Sequence, residues 1–196
     1  MVRNPNRRTA LVDAAVEVLA REGARGLTFR AVDQEAGVPN GTASNYFTSR
    51  DDLLRQVGEY IHVRVSPDAE RLAETMAAPP DKSLVVRLLQ ELLTRLQVDR
   101  TGYLALLELR LEATRRPELQ AALTRTISEN LEQNVRFHLD AGLPGDRTTV
   151  VSLYLAMSGL MVEHLTLPDV LPEEEMTEVI TALVERTQVS GPAGRR

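Results

Sequence analysis

The sequence of 196 residues contains no cysteine. Disulfides, thiolate nucleophiles and cysteine-based zinc sites are therefore excluded. No run of eighteen apolar residues is present, which argues against a membrane-spanning helix. The segment from Met1 to Arg8 lacks the apolar stretch of a secretory signal, so we expect a cytoplasmic location and no membrane partner.

Catalytic signatures are also missing from the sequence. His62, His138 and His164 stand alone, without the spacing of a His-x3-His or His-Glu-x-x-His metal site. There is no glycine-rich phosphate loop, no nucleophile elbow and no dinucleotide-binding fingerprint. We therefore expect neither an enzyme nor a metal or cofactor site.

No segment shows the sustained two-residue alternation of a half-buried strand. Apolar residues recur instead every three or four positions, as in the run from Leu119 to Leu139 in four-residue steps. This pattern predicts an all-α protein with about nine helices.

The charge is unevenly distributed along the chain. The net charge is −5, but residues 1–50 carry seven arginines or lysines against five acidic residues. The remaining residues carry 16 basic against 23 acidic side chains. A weakly basic N-terminal end on an acidic body permits contact with a nucleic-acid backbone, because affinity for phosphates depends on local charge.

What the sequence does contain is a two-helix pattern between Gly26 and Phe47. Thr28 suits the N-cap of a short helix that carries Ala31, Val32 and Ala36 on its inner face. Gly37 lies where that helix must end and the chain must turn with a positive φ. Pro39 suits the first turn of a following helix. We therefore predict two short α-helices joined at Gly37, the second from Pro39 to Phe47.

The second predicted helix has two different faces. Ala43 and Phe47 lie four residues apart and are expected to point inward. The opposite face is small and polar and consists of Asn40, Gly41, Ser44 and Asn45. Such a helix, braced by another across a tight turn, is the helix-turn-helix arrangement that binds in the DNA major groove. The alternative is an ordinary helical hairpin with a solvated polar face.

A longer run of residues resembles a known family. The run is Gly37-Val38, Gly41-Thr42, Tyr46-Phe47 and Ser49-Arg50-Asp51-Asp52-Leu53-Leu54. It resembles the DNA-binding domain of the TetR family of bacterial transcriptional regulators, whose usual pattern is Ala-Gly-Val-Ser-x-Gly-Thr-hydrophobic-Tyr-x-(Tyr/His)-Phe-x-(Ser/Asn)-Lys-(Glu/Asp)-x-Leu. The resemblance extends from Arg8 to Leu54. The sequence departs from the family at three positions: Asp33 replaces a usual alanine, Ala43 a larger apolar residue and Ser44 a frequent tyrosine.

The resemblance implies a three-helix helix-turn-helix DNA-binding domain over residues 1–52 and a helical effector-binding and dimerisation domain over residues 53–196. It implies a homodimeric transcriptional repressor that binds a palindromic double-stranded DNA operator and is released by an unknown small-molecule effector. A helical protein-interaction module without DNA binding is the alternative from another class.

The family pattern also implies which residues contact DNA. The polar face, with Asn40, Gly41, Ser44 and Asn45, is expected to meet the bases. Phosphate contacts are expected from Thr28, Arg30, Thr42, Tyr46 and Arg50. Phosphate contacts position a protein on DNA, whereas base contacts specify the sequence.

Polar residues among the apolar helices of the body are candidates for the effector pocket that the resemblance implies. They are Tyr103, Glu108, Arg110, His138 and Tyr154. Glu108 and Arg110 lie among leucines, where a charge must be paired or face water. The alternative places both on the solvent edge of their helix.

The segment from Val150 to Leu165 is apolar on nearly every side. One side can cover the core of its own subunit, and the other then needs a different partner. Together with a second apolar stripe between Met176 and Val184, this segment predicts a four-helix dimer interface. Its residues are Tyr154, Met157, Leu160, Met161, Val179, Ile180 and Leu183. The alternative is a central helix that is fully covered within one chain.

Overall fold

The computed structural model of the protein describes residues 4–186. These residues form nine α-helices and one 3-10 helix, and no β-strand lies among them. The α-helices are α1 (Pro5–Gly26), α2 (Phe29–Glu35), α3 (Arg50–Arg64), α4 (Ala69–Thr75), α5 (Lys82–Val98), α6 (Arg100–Ala113), α7 (Pro117–Asp140), α8 (Arg147–Thr166) and α9 (Glu173–Arg186), and the 3-10 helix is Ala43–Asn45. The predicted all-α fold is confirmed.

The chain divides into two compact units. The first unit contains residues 4–66 and 99–127, and the second contains residues 67–98 and 128–186. Helix α6 therefore belongs to the same unit as the N-terminal helices, although residues 67–98, which precede it in the sequence, belong to the second unit.

The core of the first unit forms where α1 packs against α2, α3 and α6. Leu11 and Leu19 of α1, Ile61 of α3 and Leu109 of α6 are completely buried there. Phe47 lies in the same cluster. The apolar faces predicted for these helices thus form one core, which fixes the N-terminal segment that carries the expected DNA contacts.

The core of the second unit lies between α5, α8 and α9, which contact one another pairwise. Leu84 and Val85 of α5 pack with Leu153 of α8 and Val184 of α9. Burial of these apolar side chains stabilises the second unit mainly because it removes apolar surface from water.

Side-chain caps mark the starts of α2, α3 and α4, and the cap predicted at Thr28 is confirmed. The side chain of Thr28 accepts a hydrogen bond from the backbone N–H of Ala31 at the start of α2. Ser49 does the same for the N–H of Asp52 at the start of α3, and Asp68 caps α4. Each cap satisfies a backbone donor that has no partner inside its helix.

The side chain of Asp52 binds back to Thr48, just before the cap residue Ser49 of α3. Its Oδ2 accepts hydrogen bonds from the backbone N–H and the hydroxyl of Thr48, and its Oδ1 accepts from Arg55 and Gln56. Burial alone would raise the pKa of Asp52, but these hydrogen bonds outweigh it and lower the pKa to about 2. The carboxylate is therefore more stable in the folded protein than in the unfolded chain.

This pKa predicts a loss of stability in acid. Since the folded pKa lies below the unfolded value of 3.8, the contribution of Asp52 is complete only above about pH 5 and is largely lost as the pH falls to about 2. We expect Asp52→Asn to lower the free energy of unfolding by about 1–2 kcal/mol at pH 7 and by much less at pH 2.

The measurement is thermal unfolding between pH 7 and pH 2. Ser49→Ala is the matched control, because it removes the other half of the cap without removing a titrating group. The stability loss of Ser49→Ala should stay the same across this range, and an equally constant loss for Asp52→Asn would contradict the prediction.

Candidate nucleic-acid interface

The turn after α2 has the conformation that the sequence predicts. Gly37 has a φ of +63°, in the left-handed region that favours glycine. The N–H of Gly37 donates to the carbonyl of Gln34, and the N–H of Val38 donates to the carbonyl of Asp33. These bonds close α2 and redirect the chain towards residues 39–47, which we call the recognition segment.

The recognition segment is not the α-helix that the sequence predicts. Gly41 has a φ of +90°, which no right-handed helix contains. Only Ala43–Asn45 is helical, and its bonds span three residues, as from the N–H of Asn45 to the carbonyl of Thr42 at 3.0 Å. The prediction of a helix from Pro39 to Phe47 is wrong, because the backbone turns at Gly41 and leaves too few residues for an α-helix.

The two faces of the recognition segment are arranged as predicted. Ala43 is completely buried and Phe47 is 1% exposed. The polar residues Asn40, Gly41, Ser44 and Asn45 are all exposed. The hydroxyl of Ser44 and the Nδ2 of Asn45 both donate to the carbonyl of Gly41, at 2.8 and 3.0 Å. The segment therefore presents a small polar surface whose side chains are held against their own backbone.

The residues expected at phosphates occupy different environments. Thr28 and Arg30 are exposed at the start of α2. Thr42 and Tyr46 are half-buried, and the hydroxyl of Thr42 donates to the carbonyl of Pro39 at 2.6 Å. Thr28 and Arg30 thus lie on the surface, where a phosphate could reach them.

Arg50 makes its contacts inside the first unit. Its Nε donates to the carbonyl of Leu27 at 3.1 Å, and its Nη2 donates to the carbonyl of Ala24. The guanidinium thereby ties the start of α3 to the end of α1 and the start of α2. Because its donors serve carbonyls at the end of α1 and before α2, Arg50 braces the N-terminal unit, and its phosphate contact stays a prediction.

Arg8 is a second brace, and its sequence position gave no sign of it. Its Nη1 donates to Gln56, and its Nη2 donates to the carbonyl of Tyr46 at 3.1 Å. The guanidinium also lies 5.6 Å from the centre of the Phe47 ring. Arg8 therefore holds the end of the recognition segment against α3.

The five residues predicted for an effector pocket fall in different parts of the chain. Tyr103, Glu108 and Arg110 belong to the first unit, and His138 and Tyr154 belong to the second. Glu108 accepts a hydrogen bond from the N–H of Ala24 at 3.4 Å, and His138 lies with its Nε2 3.0 Å from the carbonyl of Pro144. Both of these side chains thus have partners inside their own unit.

The predicted dimer residues lie mostly inside the second unit. Met157, Leu160, Met161 and Ile180 are buried there. Tyr154, Val179 and Leu183 are half-buried. The four buried side chains belong to the core of one chain, whereas the three half-buried ones keep some accessible surface. The exposed apolar side chains of α8 lie on another face of the helix.

That other face carries Leu155 and Val162, which are 62% and 38% exposed. Gly159 lies between them, and a Cβ built on it would have no atom within 4 Å. Residues 155, 159 and 162 share one side of an α-helix, since they are four and three positions apart.

Within residues 4–186, α8 is also the one helix long and apolar enough to cross a membrane, a property that core helices of soluble proteins share.

Metal binding finds no support in the described part of the chain. Residues 4–186 contain no cluster of three or more His, Asp or Glu side chains that could hold a metal ion.

An all-helical chain with a short helix-turn-helix and an exposed polar recognition segment has the architecture of a DNA-binding transcription regulator. The chain belongs to the TetR family. The family model described as "Bacterial regulatory proteins, tetR family" matches residues 11–57, and that described as "Tetracyclin repressor-like, C-terminal domain" matches residues 80–186. Members of this family are regulators and not enzymes. The alternative of an interaction module without DNA binding is therefore set aside.

Several individual proteins are similar to this chain. The HTH-type nicotine-responsive transcriptional repressor HdnoR of Paenarthrobacter nicotinovorans is 21% identical over 80% of this chain and 79% of its own. The multidrug binding protein EbrR, in a crystal structure with imidazole, is 32% identical over 98% of this chain and all of its own, with a TM-score of 0.66. A TetR-family member from Streptomyces coelicolor A3 is 30% identical over 91% of this chain and 98% of its own, with a TM-score of 0.64.

Proposed function

We propose that this TetR-family regulator is a homodimeric repressor that binds a palindromic operator and is released by a small-molecule effector. We assign DNA binding to residues 1–52 and effector binding and dimerisation to residues 53–196. Within the second range, residues 53–66 and 99–127 belong to the same compact unit as the N-terminal helices. The observation that carries the DNA-binding part is the recognition segment, which is exposed and polar outside but anchored inside by Ala43 and Phe47. Such a segment can enter the major groove without disturbing the core.

The division of roles follows from exposure. Asn40 has an exposed amide that can pair with the edge of a base. Arg30 has an exposed guanidinium at the start of α2 and can bind a phosphate. We assign base contacts to Asn40, Ser44 and Asn45, and phosphate contacts to Thr28 and Arg30.

The test is binding to DNA that flanks the gene of this protein, measured by fluorescence anisotropy at several salt concentrations. Arg30→Ala should weaken binding to every operator variant by a similar factor and reduce the slope of log K against log salt by about 1. Asn40→Ala should instead change the order of preference among operator variants. Arg125→Ala, which removes an exposed arginine of α7 outside the expected contacts, is the control and should change neither quantity.

Equal losses for Arg30→Ala and Asn40→Ala on every operator variant would contradict this division. Binding that does not depend on salt or on sequence would contradict operator recognition altogether.

The dimer proposal rests on the uncovered face of α8. Leu155 and Val162 expose apolar side chains on one side of this helix. Gly159 between them would let the backbone of a second helix come close. A second copy of this chain is the proposed cover, because one recognition segment reads only a few base pairs and a two-fold dimer reads two half-sites about 34–36 Å apart.

The effector proposal rests on the similarity of this chain to EbrR and HdnoR. EbrR has been crystallised with imidazole, proflavin and ethidium, and HdnoR is described as nicotine-responsive. We propose that this chain also responds to a small molecule, with Tyr103, Glu108, Arg110, His138 and Tyr154 as candidate contacts. Imidazole, proflavin and ethidium are suitable first probes, and binding should raise the midpoint of thermal unfolding.

A further inference from the structure

Asp33 is a completely buried carboxylate in the DNA-binding part of the chain. Its side chain is 0% exposed, in the last turns of α2. A charge in such a place costs free energy unless it is paired or fully hydrogen-bonded. No lysine or arginine forms an ion pair with Asp33 among residues 4–186. Its partners must therefore account for its presence there.

The partners of Asp33 are backbone N–H groups of the recognition segment. Its Oδ2 accepts from Gly41 at 2.6 Å, and its Oδ1 accepts from Ala43 at 2.7 Å. Its own backbone carbonyl accepts from Val38 at 3.0 Å, in the turn between α2 and the recognition segment. Asp33 thus stabilises the turn after α2 and binds the backbone on both sides of Thr42.

The recognition segment needs such a support because it is a poor helix. A 3-10 helix of three residues contains too few internal hydrogen bonds to hold its own conformation. The N–H groups at its start also lack partners inside the helix. A carboxylate that accepts two of them acts as an N-cap from a neighbouring helix, and bonds to a charged acceptor are the strong ones.

We propose that Asp33 is a positioning residue for operator recognition. Its carboxylate fixes the backbone of Gly41 and Ala43 and thereby the place of Asn40, Ser44 and Asn45 relative to α2. This inference rests on the proposed function, since Asp33 positions the recognition segment for the base contacts that the proposed function requires. Asp33 itself is buried and does not contact DNA.

The test compares Asp33→Asn with Glu35→Gln. Both variants remove one negative charge from α2, but Glu35 lies on the surface and pairs with Arg21 at 2.8 Å. Loss of a negative charge near DNA should strengthen binding slightly in both. Asparagine at position 33 keeps one acceptor and turns its NH2 group towards a backbone donor, so one of the two bonds is lost.

We expect Asp33→Asn to bind the operator at least 10-fold more weakly, with less than a twofold change on unrelated DNA. Hydrogen exchange at the amides of Gly41 and Ala43 should become at least 10-fold faster. Glu35→Gln should stay within twofold of the parent protein in all three measurements. Operator affinity within twofold of the parent in a folded Asp33→Asn variant with faster exchange would overturn the proposal.

Hydrogen exchange of the unmodified protein keeps the inference testable if the variant does not fold. The amides of Gly41 and Ala43 should be protected although neither lies in an α-helix, and exchange at the rate of an unprotected amide would overturn the proposal. Failure of the proposed function would look different, because the parent protein would then bind all DNA alike while these amides remained protected.

Discussion

Leu155→Glu and Val162→Glu are expected to produce folded monomers that bind the operator at least about 100-fold more weakly than the parent protein. Both side chains are exposed on one face of α8, so a glutamate there should leave the core of its own subunit intact. In a dimer the same glutamate would be buried opposite its symmetry mate, and two unpaired charges would separate the chains. Operator affinity then falls, because a monomer binds one half-site and loses the gain from binding two half-sites together. That gain is typically about 10²–10⁴ in affinity.

Sedimentation and operator titration measure this effect together. Val170→Glu is the matched control, since Val170 is 63% exposed in the loop after α8 and outside the proposed interface. It should remain dimeric with unchanged affinity. A parent protein that sediments as a monomer at micromolar concentration would refute the dimer, and the palindromic operator with it.

Phe47→Ala is expected to lower the free energy of unfolding by about 3–5 kcal/mol and to abolish operator binding. The ring of Phe47 is 1% exposed, stacks on Phe29 with 6.5 Å between ring centres and lies under the guanidinium of Arg8. Truncation leaves a cavity that these neighbours can fill only in part. The recognition segment also loses its inner anchor, so stability and DNA binding should fall together.

Thermal unfolding and operator titration of the same samples test this expectation. Phe137→Ala removes a phenylalanine that is 40% exposed and should change the unfolding midpoint far less. If Phe47→Ala melts like the parent protein but cannot bind DNA, then Phe47 acts at the DNA surface and not in the core.

Much of the fold could be predicted because its signals are local. The caps at Thr28, Ser49 and Asp68 and the positive φ of Gly37 depend on atoms within about four residues of each position. Helical periodicity likewise identifies an apolar face without any knowledge of its partner. The inner anchors Ala43 and Phe47 and the outer polar face of the recognition segment follow from the same rule.

The candidate site was less predictable where a residue is compatible with two different backbone conformations. Gly41 suits the small polar face of an α-helix, but it also permits a φ of +90°. The second possibility is realised, since Asp33 accepts the N–H groups of Gly41 and Ala43 across the turn. The sequence marked Asp33 as unusual without indicating what it binds.

By itself, then, the sequence determined that the chain is all-helical, where α2 begins, and which residues of the recognition segment face outward. Only the tertiary structure decided which partners the charged side chains have: Arg8 binds the carbonyl of Tyr46, and Arg50 binds those of Ala24 and Leu27. It also decided that α8 buries Met157 and Met161 and exposes Leu155 and Val162. The physical reason is distance along the chain. A cap or a turn is chosen by its neighbours in sequence, whereas an arginine's acceptor or the covered side of an apolar helix depends on elements tens of residues away.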